Sequence, residues 1–416
     1  MRAMKDSGIA WIGEIPGEWK IVRNKNAFVC NKELVGEKSA LTQLLSLTTR
    51  GIKKKDINNA EGKLPESFDT YQFVRENDIV MCLFDLDCSA VFSGISPIDG
   101  MISPAYRVLS CKECIEPRYA DYWFRYISDG RKFNHFAKNI RYTLSYEEFS
   151  ALPLLLPKKV EQHRIADYLD RKCSQIDAII AWQQEVIEKL KTYKLSVITE
   201  AVTKGLNPHA PMKDSGVEWI GEIPEHWEVM KFGRCATIKS NLVAPDDYAD
   251  YPQISPDSIE KNSGRIIDYK TVKEAGVISW NHLFFKGQVI YSKIRPMLNK
   301  VAIAPFDGLC SADMYPIETS NDTQFLVYLM LSDYFTSQVG LVTENRVKMP
   351  KINQNELSAI MVTIPPQSEQ ETISKYLSEK CASLDVAIDK KQGLIYKLNA
   401  YKKSLIYEVV TGKKEV

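Results

Sequence analysis

At 416 residues the chain is too long for one hydrophobic core and predicts two or more domains. Its balance of 44% apolar and 26% charged residues argues against a disordered chain, no apolar run reaches membrane-spanning length, and nine scattered cysteines fit a reducing, cytoplasmic setting. A net charge of +1 does not announce a nucleic-acid binder, so any nucleic-acid contact must come from local basic patches.

Taken in order, the chain opens on a Trp/Pro-rich lead-in, K-D-S-G-I-A-W-I-G-E-I-P-G-E-W at 5–19. Two tryptophans and a proline in a short apolar stretch are expected to pack a loop onto a core. About 130 residues of mixed character follow. Short apolar runs at Asp78–Leu83 and Arg107–Leu109, flanked by Gly, Pro, Asn and Asp, predict strands, and Tyr119–Ile127 carries apolar residues at helical spacing. From Pro157 to Gly205 the sequence reads as one long helix. Positions 169, 173, 176, 180, 183, 187, 190, 194, 197 and 201 step alternately by four and three, the period of a coiled-coil seam.

The whole pattern then recurs 208 positions on. The lead-in returns as K-D-S-G-V-E-W-I-G-E-I-P-E-H-W at 213–227, followed by a strand at Val289–Tyr291 and a helix at Gln324–Leu331. Glu161-Gln162, Tyr168-Leu169 and Lys172-Cys173 recur as Glu369-Gln370, Tyr376-Leu377 and Lys380-Cys381 in a second long helix. The pairing residues Leu169, Ile176, Ile180, Ile187 and Leu190 are matched by Leu377, Leu384, Ile388, Ile395 and Leu398. Both seams are broken at the same steps, Gln183/Lys391 and Lys194/Lys402, and polar seam residues fix register at a cost in stability. The expected architecture is two α/β (α+β) domains alternating with two long antiparallel coiled-coil helices, with boundaries at 1–157, 158–207, 208–365 and 366–416. Symmetry places the N-terminal lead-in beside the C-terminal end of the second helix.

Catalytic signatures are mostly missing: the chain has no Walker A motif, no G-x-G-x-x-G after a strand and no Asn/Asp-Pro-Pro-aromatic motif. Cys111-x-x-Cys114 is one pair where structural zinc needs four ligands. Pro256-Asp257 with Asp268-x-Lys270 is a short, degenerate match to a nuclease metal site, and the first half lacks it. What remains are basic and aromatic residues in the two variable domains. The first domain carries Arg50 with Lys53, Lys54 and Lys55, then Arg141-Tyr142. In the second they are Lys293, Arg295 and Lys300, then Arg346 and Lys348. In loops such side chains neutralise phosphates or pair with guanine in the major groove. Taken singly, each cluster also reads as a solvated surface patch.

The duplicated W-I-G-E-I-P lead-in, the helix starts from Pro157 to Ile165 and Pro365 to Ile373, the segments S-P-A-Y and S-A-D-M-Y, and Lys293-Ile294-Arg295-Pro296 resemble the specificity subunits of type I restriction-modification systems. The likeness covers essentially the whole chain. It implies that each variable domain is a target recognition domain reading one half of a bipartite, asymmetric DNA target. It further implies that the antiparallel helices hold the domains apart and dock two methyltransferase subunits, with restriction subunits joining for cleavage. No cofactor is then expected on this chain; S-adenosylmethionine, ATP and Mg2+ belong on the partner subunits. Phe84-Asp85-Leu86-Asp87 is only loosely like the corresponding region of the family. Two other functions compete with this one: a stand-alone DNA endonuclease, and a coiled-coil scaffold that binds only protein.

Overall fold

The structure is a computed structural model that describes residues 2–49, 51–56, 65–86, 92–129, 132, 143–344, 346 and 349–416. It divides into two compact units, Met1–Trp182 with Gly393–Val416, and Gln183–Gln392. In the first half of the chain α1 (Pro117–Asp129), α2 (Tyr146–Ala151) and α3 (Lys159–Lys204) follow the strands. The second half has α4 (Thr323–Leu331), α5 (Asp333–Thr343), α6 (Gln354–Ala359) and α7 (Gln367–Val410). At 46 and 44 residues, α3 and α7 are each roughly 65–70 Å long. No single helix among the described residues is long and apolar enough to cross a membrane.

In the first unit the predicted strands form an antiparallel sheet in the order Phe28–Asn31, Arg107–Cys111, Ile79–Met81, Ser93–Ile95. The run Ile79-Val80-Met81 is buried throughout, as an unbroken apolar strand requires when both faces of its sheet are covered. α1 supplies one cover: Phe124 lies 5.4 Å from Phe28 and 5.8 Å from Phe149, ring centre to ring centre. The second unit repeats this sheet as Ala236–Ile238, Met314–Thr319, Val289–Ser292, Val301–Ile303. The units differ in their outer strands. The second has a five-stranded sheet beginning at Leu242–Val243, whereas the first has the hairpin Leu45–Thr48/Gly51–Lys54 and a separate pair, Gly100–Ile102 with Gln72–Val74.

The repeated Glu-Gln pair explains how each module is fastened to its helix. Gln162 is fully buried; its carbonyl accepts from Glu116 N at 2.8 Å and its amide donates to Pro157 O at 2.9 Å. Gln370 does the same with Asp322 N at 3.0 Å and Pro365 O at 2.8 Å. The glutamates hold the lead-ins: Glu161 pairs with Arg2 at 2.7 Å, and Glu369 accepts from Trp227 Nε1 at 3.0 Å and contacts His226 at 2.5 Å. Of the two tryptophans in each lead-in, Trp19 and Trp227 are buried as a packing tie should be, whereas Trp11 is half-buried and Trp219 is exposed. In the first unit the lead-in lies against the end of α7, where Lys413 Nζ donates to Ile12 O at 2.8 Å.

Along α3 every seam position is buried except Leu190, which is half-buried. Along α7 the seam positions are buried or half-buried, with none exposed. The seam's polar residues are paired. In the first unit Lys402 Nζ lies 2.7 and 2.6 Å from the Asp177 carboxylate oxygens. In the second, Lys194 Nζ lies 2.9 and 2.8 Å from those of Asp385, and Lys391 Nζ donates to Gln183 Oε1 at 3.1 Å.

Candidate nucleic-acid interface

In the second module Val289–Ser292 ends in a turn at Lys293-Ile294-Arg295, with Arg295 left-handed at φ 45°. Backbone bonds over-determine this strained geometry. Lys293 N donates to Asp313 O at 3.0 Å, Arg295 N donates to Pro350 O at 2.8 Å, and Ile352 N donates to Lys293 O at 2.9 Å. The turn is thereby bound to the segment that enters α6. A cleft of about 450 Å³ opens beside it, bounded by Ser240, Leu242 and His282 on one side and by Tyr315 and residues 353–355 on the other.

The Lys293 ammonium sits 5.3 Å from the centre of the Tyr315 ring, a cation–π contact that holds it at the cleft. His282 lines the same cleft and is only 4% exposed; burial first, and the Lys293 charge second, push its pKa down and favour the neutral ring. The exposed Arg295 guanidinium has no ion-pair partner among the described residues. Lys300 is engaged by the fold, its Nζ 2.7 Å from Pro256 O and 3.2 Å from Asp257. Arg346 is a brace as well, pairing with Glu356 and donating to Lys351 O. Lys348 lies outside the described residues. The structure therefore brings Lys293 to the cleft, leaves Arg295 open to solvent and spends Lys300 and Arg346 internally.

In the first module Lys53 and Lys54 stand exposed on the hairpin strand Gly51–Lys54. Lys54 and Lys55 border a cleft of about 540 Å³ facing residues 40–44, and Lys55 N donates to Leu44 O at 2.9 Å. Arg50, Arg141 and Tyr142 lie outside the described residues. Among those described, no three His, Cys, Asp or Glu side chains are grouped to hold a metal ion, and Asp257 is taken up by Lys300. A search for cations alone misses His282 and the amides Gln354 and Asn355. For the amides the one signal was their position just before residues 356–359, a segment that matches 148–151 of the first half.

The structure thus holds two α/β modules of one frame, each fastened to a long helix. The chain matches, over residues 224–393, the family model described as the Type I restriction modification DNA specificity domain. It is 34% identical over 281 residues to the type I restriction enzyme EcoDI specificity subunit of Escherichia coli, across 64% of this chain and 63% of that subunit. Two Methanocaldococcus jannaschii proteins align over nearly the whole chain. The putative MjaX specificity subunit is 25% identical over 97% of this chain and 95% of its own length, and the MjaVIII specificity subunit 24% over 96% and 93%. A solved structure concerned with complex assembly and conformational transition of the type I R-M system shares the fold. Its TM-score is 0.68 at 12% identity, covering 96% of this chain and 99% of that one.

Proposed function

We propose that this chain is the DNA-reading subunit of a type I restriction-modification assembly, each module reading one half of a bipartite, asymmetric duplex target. The observation that carries the reading is that two modules of one frame present different side chains at matched backbone positions. In the second module Lys293 and Arg295 are the foremost contacts, with Lys348, while Lys300 and Arg346 brace the fold. In the first they are Arg50, Lys53, Lys54, Lys55, Arg141 and Tyr142. Domain boundaries near 157, 207 and 365 separate readers from helices.

α3 and α7 pair as an antiparallel coiled coil through Leu169, Ile176, Ile180, Ile187 and Leu190 on one helix and Leu377, Leu384, Ile388, Ile395 and Leu398 on the other. The ion pairs Lys402–Asp177 and Lys194–Asp385 support that direction. The helices set the gap between half-sites and dock two methyltransferase subunits. Restriction subunits complete the assembly in the cytoplasm. S-adenosylmethionine, ATP and Mg2+ act on those partners, and this chain is not itself catalytic. The test is a duplex-DNA assay of the purified chain with and without methyltransferase subunits. Sequence-specific methylation is expected only with them. Methyl transfer or cutting by the chain alone, or no sequence-specific binding at physiological salt in the complex, overturns the proposal.

A further inference from the structure

The backbone frame around the second module's cleft can be matched bond by bond in the first module. Leu144 N donates to Leu83 O at 2.8 Å, as Ile352 N donates to Lys293 O at 2.9 Å. Ser145 caps α2 in a reciprocal box with Glu148, as Asn353 caps α6 with Glu356. Arg107 stands opposite Met81 in its sheet, as Tyr315 stands opposite Tyr291. These bonds superimpose Leu83 on Lys293, Arg107 on Tyr315, Tyr146 on Gln354 and Glu147 on Asn355. At every one of the four positions the chemistry differs, while the capping and backbone bonds behind them are the same. A purely structural role would call for like side chains in like frames; two readers of different targets call for this divergence.

Gln354 is half-buried and Asn355 exposed, and among the described residues neither amide has a hydrogen-bond partner. The capping box holds both at the rim of the cleft. His282, which lines the same cleft, has a buried Nδ1 without a hydrogen-bond partner among the described residues. An amide offers a donor and an acceptor side by side, which matches the N6 donor and N7 acceptor of adenine; guanine presents two acceptors there and cytosine one donor.

Resting on the DNA-reading function above, we propose that Gln354 and Asn355 are base-reading residues of the second module, their amides taking the major-groove edge of adenine while Lys293 anchors a neighbouring phosphate. The experiment uses the full chain assembled with its methyltransferase subunits and a duplex library randomised across both half-sites, with the methylated DNA sequenced. Gln354→Ala with Asn355→Ala lowers the preference for adenine in the second half-site roughly 5- to 150-fold per base pair affected, with the first half-site unchanged. Gln354→Glu leaves only acceptors at that position and shifts the preference from adenine toward cytosine. Unaltered preferences in both variants overturn this assignment and leave DNA reading intact. Loss of all methylation in both variants also overturns it, because a base-reading residue changes one half-site alone. A wild-type complex without any sequence preference overturns the underlying function as well.

Discussion

Lys194–Asp385 and Lys402–Asp177 occupy the same two positions of the repeat, yet they should differ several-fold in what they contribute to stability. The Lys194 side chain is 7% exposed and Asp385 22%, whereas Lys402 is 21% exposed and Asp177 55%. Removing the acid of a buried pair strands a desolvated ammonium, so Asp385→Ala should destabilise the second unit by about 3 kcal/mol. The more solvated pair matters less, and Asp177→Ala should cost about 0.5–1 kcal/mol. Replacing both members of the buried pair by apolar residues, Lys194→Met with Asp385→Leu, removes the charge and the penalty together. That double variant should lie within about 1 kcal/mol of the wild type or above it. Urea unfolding followed by helix ellipticity, run as a double-mutant cycle on each pair, reads both numbers. Equal destabilisation by the two Asp→Ala variants, or a double variant as unstable as the sum of its singles, would refute the burial argument.

Replacing Lys293 and Arg295 by alanine should weaken binding to the second half-site only; each phosphate left without its cation lowers the slope of log affinity against log salt by about one, which a salt titration measures. Gly412 is left-handed at φ +71°, and a Cβ there would lie 2.4 Å from the Pro16 ring, so Gly412→Ala should cost about 2 kcal/mol or more and expose the lead-in to protease. Gly8, at φ +66° in open space, isolates the backbone term, and Gly8→Ala should cost only about 1 kcal/mol in a thermal melt. Burial raises the carboxyl pKa of Asp121 more than Arg125 lowers it. With its folded-state pKa above the unfolded value, the folded state takes up a proton first. Stability is thus gained as pH falls through the raised value, and the ionised carboxylate is a cost above it. The melting temperature of the wild type relative to Asp121→Asn should therefore rise on acidification, and a pH-independent difference would contradict this.

The long helices were legible because a period of 3.5 in apolar residues and a second copy of the same run leave little else for the chain to do. The predicted strands at 78–83, 107–109 and 289–291 appear as Ile79–Met81, Arg107–Cys111 and Val289–Ser292, since unbroken apolar runs between turn residues are fixed by burial alone. The basic residues were harder to read. Sequence cannot tell a cation facing solvent from one bonded within the fold. Lys300 and Arg346 are taken by Asp257, Pro256 O, Glu356 and Lys351 O, through bonds across loops that no local pattern encodes. Nor does a charge search find Gln354 and Asn355, which are neutral and stand out only when the two frames are overlaid.

That overlay also explains what a duplicated single chain can do that a symmetric dimer of one module cannot. Gln183 and Lys391 are the same position of the repeat, and they meet each other: the Lys391 ammonium donates to the Gln183 amide oxygen at 3.1 Å. In a two-fold assembly of identical chains, a central residue faces its own copy. Two lysines there would repel and two glutamines would have no preferred sense, since either amide can donate to the other. With one of each, the ammonium can only donate, so the amide must turn its oxygen toward it, and the centre becomes attractive and directional. Duplication within one chain is what permits this mismatch, and it permits the two modules to diverge on the same terms. Side chains that carry the capping and backbone bonds keep the frame, while Leu83 and Lys293, Arg107 and Tyr315 differ because the modules are not bound to be alike.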